Sequence, residues 1–134
     1  MILADGNLLI AFSWDEHEDH DRAVRFFEEN PKVATCPITE LNLVRVTMQL
    51  GATGEEADKR LQNFIEKRRG KLIPDDISAT DISGLNTGHR QTTDSYLAML
   101  AKKNGLTVAT LDEPFAKKFP GLVELIADNA GKKQ

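Results

Sequence analysis

Apolar positions along this chain follow two alternating rhythms. Short continuous runs, of the kind that form strands buried on both faces, occur at Ile2-Leu3-Ala4, Lys32–Cys36, Lys71–Pro74, Leu106–Leu111 and Leu122–Ile126. Between them the spacing becomes helical. His17–Asn30 carries Ala23, Val24, Phe26 and Phe27 on one stripe, and Glu55–Arg69 carries Ala57, Leu61, Phe64 and Ile65. Further helices are predicted over Leu8–Phe12, Ile38–Leu50, Gln91–Asn104 and Glu113–Lys118. Punctuation agrees: Gly51 and Gly54 break one helix, Gly105 stops another, and Pro74 places the third strand near a sheet edge. Asp75–Gly88 is irregular, with a short helix around Thr80–Leu85. Strands alternating with helices make this an α/β domain, a parallel sheet covered on both faces. Right-handed crossovers then put a ligand crevice at the carboxyl edge of that sheet.

The helix over Ile38–Leu50 departs from the amphipathic pattern. Leu41, Leu43, Val44, Val46, Met48 and Leu50 leave it little polar surface, so core and a second subunit would both cover it. Its 134 residues suffice for one domain without staples, here residues 1–127 followed by a polar tail, 128–134, that is expected to fray. Cys36 is the only cysteine and sits in an apolar run, as a core residue would. No stretch reaches the roughly 20 apolar residues of a membrane span. The amino terminus lacks a basic n-region, which makes a cytoplasmic protein the simplest account. Seventeen basic against twenty-one acidic side chains give a net charge of −4, unlike a nucleic-acid coat protein. A nuclease remains compatible, because bound cations reverse the local sign.

Four acids stand where the pattern calls for something else. Asp5 closes the first strand; Gly6 permits a sharp turn and Asn7 is a good helix N-cap. A plain capping role for Asp5 is equally open at this point. Asp94 shares the i, i+3, i+4, i+7 face of Leu97, Ala98 and Ala101, which should be buried, although a helix start also favours an acid. Glu40 opens the apolar helix on the face of Leu43 and Val44. Asp112 follows the fourth strand as Asp5 follows the first, and alternation puts Thr110 on its side. Carboxylates gathered in one place repel unless a hard cation joins them. Magnesium and manganese take oxygen ligands and activate phosphodiesters toward water.

Four stretches carry a resemblance: Leu3–Ala11, Pro37–Leu41, Gly88–Leu97 with its Gly-His-Arg loop before Asp94, and Ala109–Asp112. Their order and spacing resemble the PIN-domain ribonucleases, and more closely the VapC toxins of toxin–antitoxin pairs. The resemblance implies a three-layer α/β/α domain, Mg2+ (or Mn2+) in an acidic pocket, and endonucleolytic cleavage of RNA, a tRNA or another structured RNA being open. It also implies a homodimer and a small VapB-like antitoxin. Asp5 and Asp94 would be the principal ligands, Glu40 and Asp112 supporting ones, with Asn7 and Thr110 orienting carboxylates. Gly6 departs from many relatives, which carry a larger residue there.

Other features are read more plainly. His17 and His20 lack zinc-like partners and are taken as solvated helix residues. Asp75, Asp76 and Asp81 are turn and cap residues. Lys67–Lys71 reads as a charged helix end, and Arg90, near Asp94, is the better candidate for a phosphate. Trp14 would cover apolar surface. Two rival functions are an aspartate-nucleophile phosphatase, which would want an acid where Asn7 stands, and a partner-binding module without catalysis.

Overall fold

The computed structural model describes residues 1–128. Five parallel strands, β1 (Ile2–Ala4), β2 (Val33–Thr35), β3 (Arg69–Leu72), β4 (Thr107–Thr110) and β5 (Val123–Leu125), lie in the order β3-β2-β1-β4-β5. Six helices flank them: α1 (Gly6–Ser13), α2 (His20–Glu29), α3 (Pro37–Gln49), α4 (Gly54–Arg68), α5 (Thr92–Lys103) and α6 (Glu113–Lys118). Pro74 lies just past β3, which runs two residues earlier than predicted and is the sheet edge that the proline implied. Two 3-10 turns, Ala79–Ile82 and His89–Gln91, occupy the irregular stretch before α5. The expected tail falls, from residue 129 on, outside the described residues. No helix among the described residues is long and apolar enough to cross a membrane.

The strands' period of two builds three layers. Ala4, Val33 and Ala109 join the side chains of α1 to α4, among them Leu8, Phe27, Leu43 and Phe64. Leu3, Ala34 and Val108 point the other way, onto Leu97, Ala101 and Phe115 of α5 and α6. Cys36 is buried in this second layer, as expected. Gly105, at φ 71°, takes the left-handed position that ends α5.

Residues 16–19 form turns, so α2 starts at His20 and the predicted helix loses its first turn. α3 buries Leu43 and Thr47 but leaves Leu41 66% and Met48 47% exposed, and Leu50, just past its end, is 50% exposed. Leu41 and Met48, seven residues apart, thus share one outward face of this helix.

The sheet order decides what the chain can do. β1 and β4 are neighbours, with Ala4 opposite Ala109, and the chain turns outward in opposite directions from this pair. The Asp5 amide continues the ladder by donating to the Ala109 carbonyl at 2.9 Å. Asp5 and the turn to Asp112 thus share the switch point of the sheet.

Candidate active site

Asp5 takes both roles that its sequence allows. It is the N-cap of α1, its Oδ1 accepting from the Gly6 amide at 2.7 Å, while Oδ2 accepts from the Thr110 hydroxyl at 2.7 Å. Asn7 is not the cap, because the helix begins one residue before it. Its amide instead reaches across to β4. Nδ2 donates to Thr110 Oγ1 at 3.2 Å and Oδ1 accepts from the Leu111 amide at 3.3 Å. Thr110 also accepts from the Asp112 amide at 3.0 Å. One hydroxyl therefore joins Asp5, Asn7 and the backbone of Asp112.

Gly6 also differs from expectation. It sits in the first turn of α1 without a positive φ. A Cβ there would lie 2.8 Å from both Cβ and Nδ2 of Asn42. Close packing of α1 on α3, rather than a sharp turn, is what its missing side chain permits.

Asp94 enters from the first turn of α5, half-buried, with Leu97, Ala98 and Ala101 buried on the predicted face. Asp5, Asp94 and Asp112 line one cavity of about 370 Å³ at the carboxyl edge of the sheet. Asp94 and Asp112 also line an adjoining cavity of about 380 Å³, with Thr87, Gln91 and Lys118. Electrostatics reflects the crowding. Burial, then the charges of Asp5 and Asp112, push the Asp94 carboxyl up to about 6, against a smaller opposing pull from Lys118. Burial likewise raises Asp5, the Thr110 hydroxyl and Gly6 amide draw it down, and Asp112 adds to the rise.

Glu40, expected beside these three acids, lines neither of these cavities. Its Oε2 accepts from the Thr35 hydroxyl at 2.6 Å and pairs with Arg69 Nη1 at 3.2 Å, tying α3 to β2 and β3. The side chains that α3 presents to the acid cavity are Asn42, Arg45 and Val46. Sequence reading passed over Asn42 and Arg45, although both interrupt the otherwise apolar run Leu41–Val46. His17, read as a solvated helix residue, lines the same cavity from the turn before α2 while its Nδ1 accepts from the Asp19 amide at 3.0 Å. His20 is not simply solvated: its Nδ1 lies 2.9 Å from the Ala11 carbonyl oxygen. Arg90 is exposed and lines neither acid cavity. Lys67 and Arg68 line a separate cavity with Phe12 and Arg60, whose guanidinium sits 4.6 Å from the Trp14 ring centre.

The donor set suits a hard divalent cation: three carboxylates in one cavity, two of them raised by burial, offer oxygen alone. As the side chains stand, no three acid, histidine or cysteine groups among the described residues are close enough to share one ion. Magnesium asks less, because it commonly takes one or two protein carboxylates and keeps several waters. The residues therefore fit such an ion, which Asp5, Asp94 and Asp112 would hold.

Comparison with known proteins extends the resemblance over nearly the whole chain. Residues 2–118 match the PIN domain. Ribonuclease VapC29 of Mycobacterium tuberculosis is 36% identical over 128 residues, spanning 93% of this chain and 96% of that one. Ribonuclease VapC38 of the same organism is 35% identical over 120 residues, 84% and 85% of the two chains. Among solved structures, FitAB bound to an IR36 DNA fragment superposes with a TM-score of 0.65 at 21% identity, over 92% of this chain and 94% of that one. VapBC2 from Rickettsia felis, bound to a promoter DNA fragment, gives 0.62 at 18% identity over 92% and 98%. At those identities the structures speak for the fold.

Proposed function

From the premise that the chain belongs to the PIN-domain family, among its VapC ribonucleases, we propose that it is a divalent-metal-dependent endoribonuclease acting in the cytoplasm as the toxin of a toxin–antitoxin pair. The observation that carries this reading is the meeting of Asp5, Asp94 and Asp112 in one cavity at the switch point of the sheet. Magnesium or manganese held there supplies the Lewis acidity that phosphodiester hydrolysis needs. The chain's own groups prepare the place. The Gly6 amide and Thr110 hydroxyl fix the two oxygens of Asp5, and Asn7 and the Asp112 amide fix Thr110 in turn. Burial and the neighbouring acids push the Asp94 carboxyl up to about 6, and a bound cation would favour its ionised form. A phosphatase using Asp5 as its nucleophile would want a second acid where Asn7 stands, and Asn7 instead bonds Thr110. Labelled RNA incubated with the purified protein tests the reading. Cleavage is expected with magnesium or manganese and none with chelator; undiminished cleavage in chelator overturns it.

Two partners belong to the proposal. A small VapB-like antitoxin would hold the toxin silent. A second copy of the chain would cover the exposed Leu41 and Met48 of α3. Leu41→Glu places a charge on that face and should shift the protein from dimer to monomer, measured by light scattering after gel filtration. An unchanged mass removes α3 from the interface.

A further inference from the structure

We propose that Arg45 is the residue that grips the RNA backbone beside the acids, an assignment that rests on the ribonuclease reading. Asn42, Arg45 and Val46 follow the i, i+3, i+4 spacing of α3 and line the cavity of Asp5, Asp94 and Asp112, while Leu43 and Thr47 turn into the core. Among the described residues Arg45 is the only lysine or arginine on that lining. Three carboxylates facing a polyanion need such a partner.

Its geometry is that of a cation held in readiness. One guanidinium nitrogen, Nη2, donates to Asn42 Oδ1 at 2.8 Å. Asn42 is itself wedged against Gly6, next to the backbone of Asp5. The tether thus fastens the guanidinium to a side chain packed against the first residue of α1. Among the described residues no carboxylate lies within ion-pairing distance of Arg45. The remaining N–H groups of its planar fork can meet a phosphate bidentately. Lys118, on the lining of the adjoining cavity, and Arg69, beside Glu40, already have partners of their own. Arg69 is paired with Glu40, and Lys118 donates to the Leu85 carbonyl at 2.8 Å and lies near Thr87 and Ser95. Because Asp94 and Asp112 wall both cavities, a strand crossing them meets Arg45 on one side and Thr87 and Gln91 on the other.

The test uses wild type, Arg45→Ala and Arg45→Lys with a fluorescent single-stranded RNA. Affinity is read by anisotropy in calcium across a salt series, cleavage by steady-state kinetics in magnesium, and manganese binding by calorimetry. Arg45→Ala should weaken RNA binding about tenfold and lower the salt slope by about one ion. KM should rise with kcat nearly unchanged, and manganese affinity and the melting midpoint should stay at wild-type values. Arg45→Lys should keep the salt slope and recover part of the affinity. Wild-type RNA affinity and salt slope in Arg45→Ala, in a protein that cleaves RNA, overturn the assignment alone. So does a loss of manganese binding with the RNA slope intact, since Arg45 would then act on the acids. Wild-type protein that neither binds nor cuts RNA overturns the ribonuclease reading as well.

Discussion

Asp5 and Glu40 both stand at the carboxyl edge of the sheet, and their surroundings treat them in opposite ways. Glu40 has a guanidinium at 3.2 Å and a hydroxyl at 2.6 Å, so its charge is answered within the protein. Asp5, only 6% exposed, is answered by an amide and a hydroxyl alone, and its charged neighbour Asp112 repels it. Neutral donors orient a carboxylate without cancelling it. A buried acid left in that condition is stabilised by a cation from outside. On the proposed reading, the difference separates an acid that fastens the sheet edge from one that would take a ligand.

The most severe way to break this contrast is Asp5→Asn or Asp94→Asn. Each should lower RNA cleavage about a thousandfold, some 4 kcal/mol of transition-state stabilisation, while circular dichroism stays native. Retained activity in either variant would remove the acids from the chemistry. Thr110→Val deletes the hydroxyl that joins Asp5, Asn7 and the Asp112 amide. Metal affinity by calorimetry should fall about 10- to 100-fold, because the carboxylate loses its orientation. Glu40→Gln sharpens the contrast from the other side. It leaves Arg69 without its ion pair and should cost about 1–2 kcal/mol in denaturant unfolding, with cleavage reduced less than about tenfold. A collapse of cleavage with unchanged stability would place Glu40 among the catalytic acids after all.

The smallest effect is a pH dependence. In metal-free protein Asp94 titrates near 6 against an ordinary 3.8, so the folded state holds a proton that the unfolded chain has already released. Stability from this group is greatest below about pH 4, falls as pH rises toward about 6, and is level above. Asp94→Asn should flatten that decline and raise the metal-free melting midpoint at neutral pH by roughly 3–5 °C, about 1 kcal/mol once partial exposure is discounted. A decline that persists in Asp94→Asn assigns it to another group.

The two rhythms of the chain were enough for the layers, the parallel sheet and the edge position of β3, because burial on both faces leaves a local mark. Asp5, Asp94 and Asp112 were legible for a similar reason, as acids in apolar settings. The order of strands was not, since the pairing of β1 with β4 joins residues far apart in the chain. The rotation of α3 was also hidden. Glu40 and Asn42 differ by about 200° around the helix, and a charge in the first turn looks equally natural whichever way it points. Only the packing of α1 against α3 decides that Asn42 and Arg45 face the crevice. His17 was misplaced because the helical stripe beginning at Ala23 was extended through a turn.

The contact between Gly6 and Asn42 sets a rule of inheritance. The space a side chain at position 6 would need is already occupied by the one at position 42. A homologue with the same spacing can enlarge residue 6 only by shrinking or reorienting residue 42, and that change loosens the tether on Arg45. The two positions should therefore vary as a pair, and Arg45 should be freest to drift in lineages where position 6 has grown.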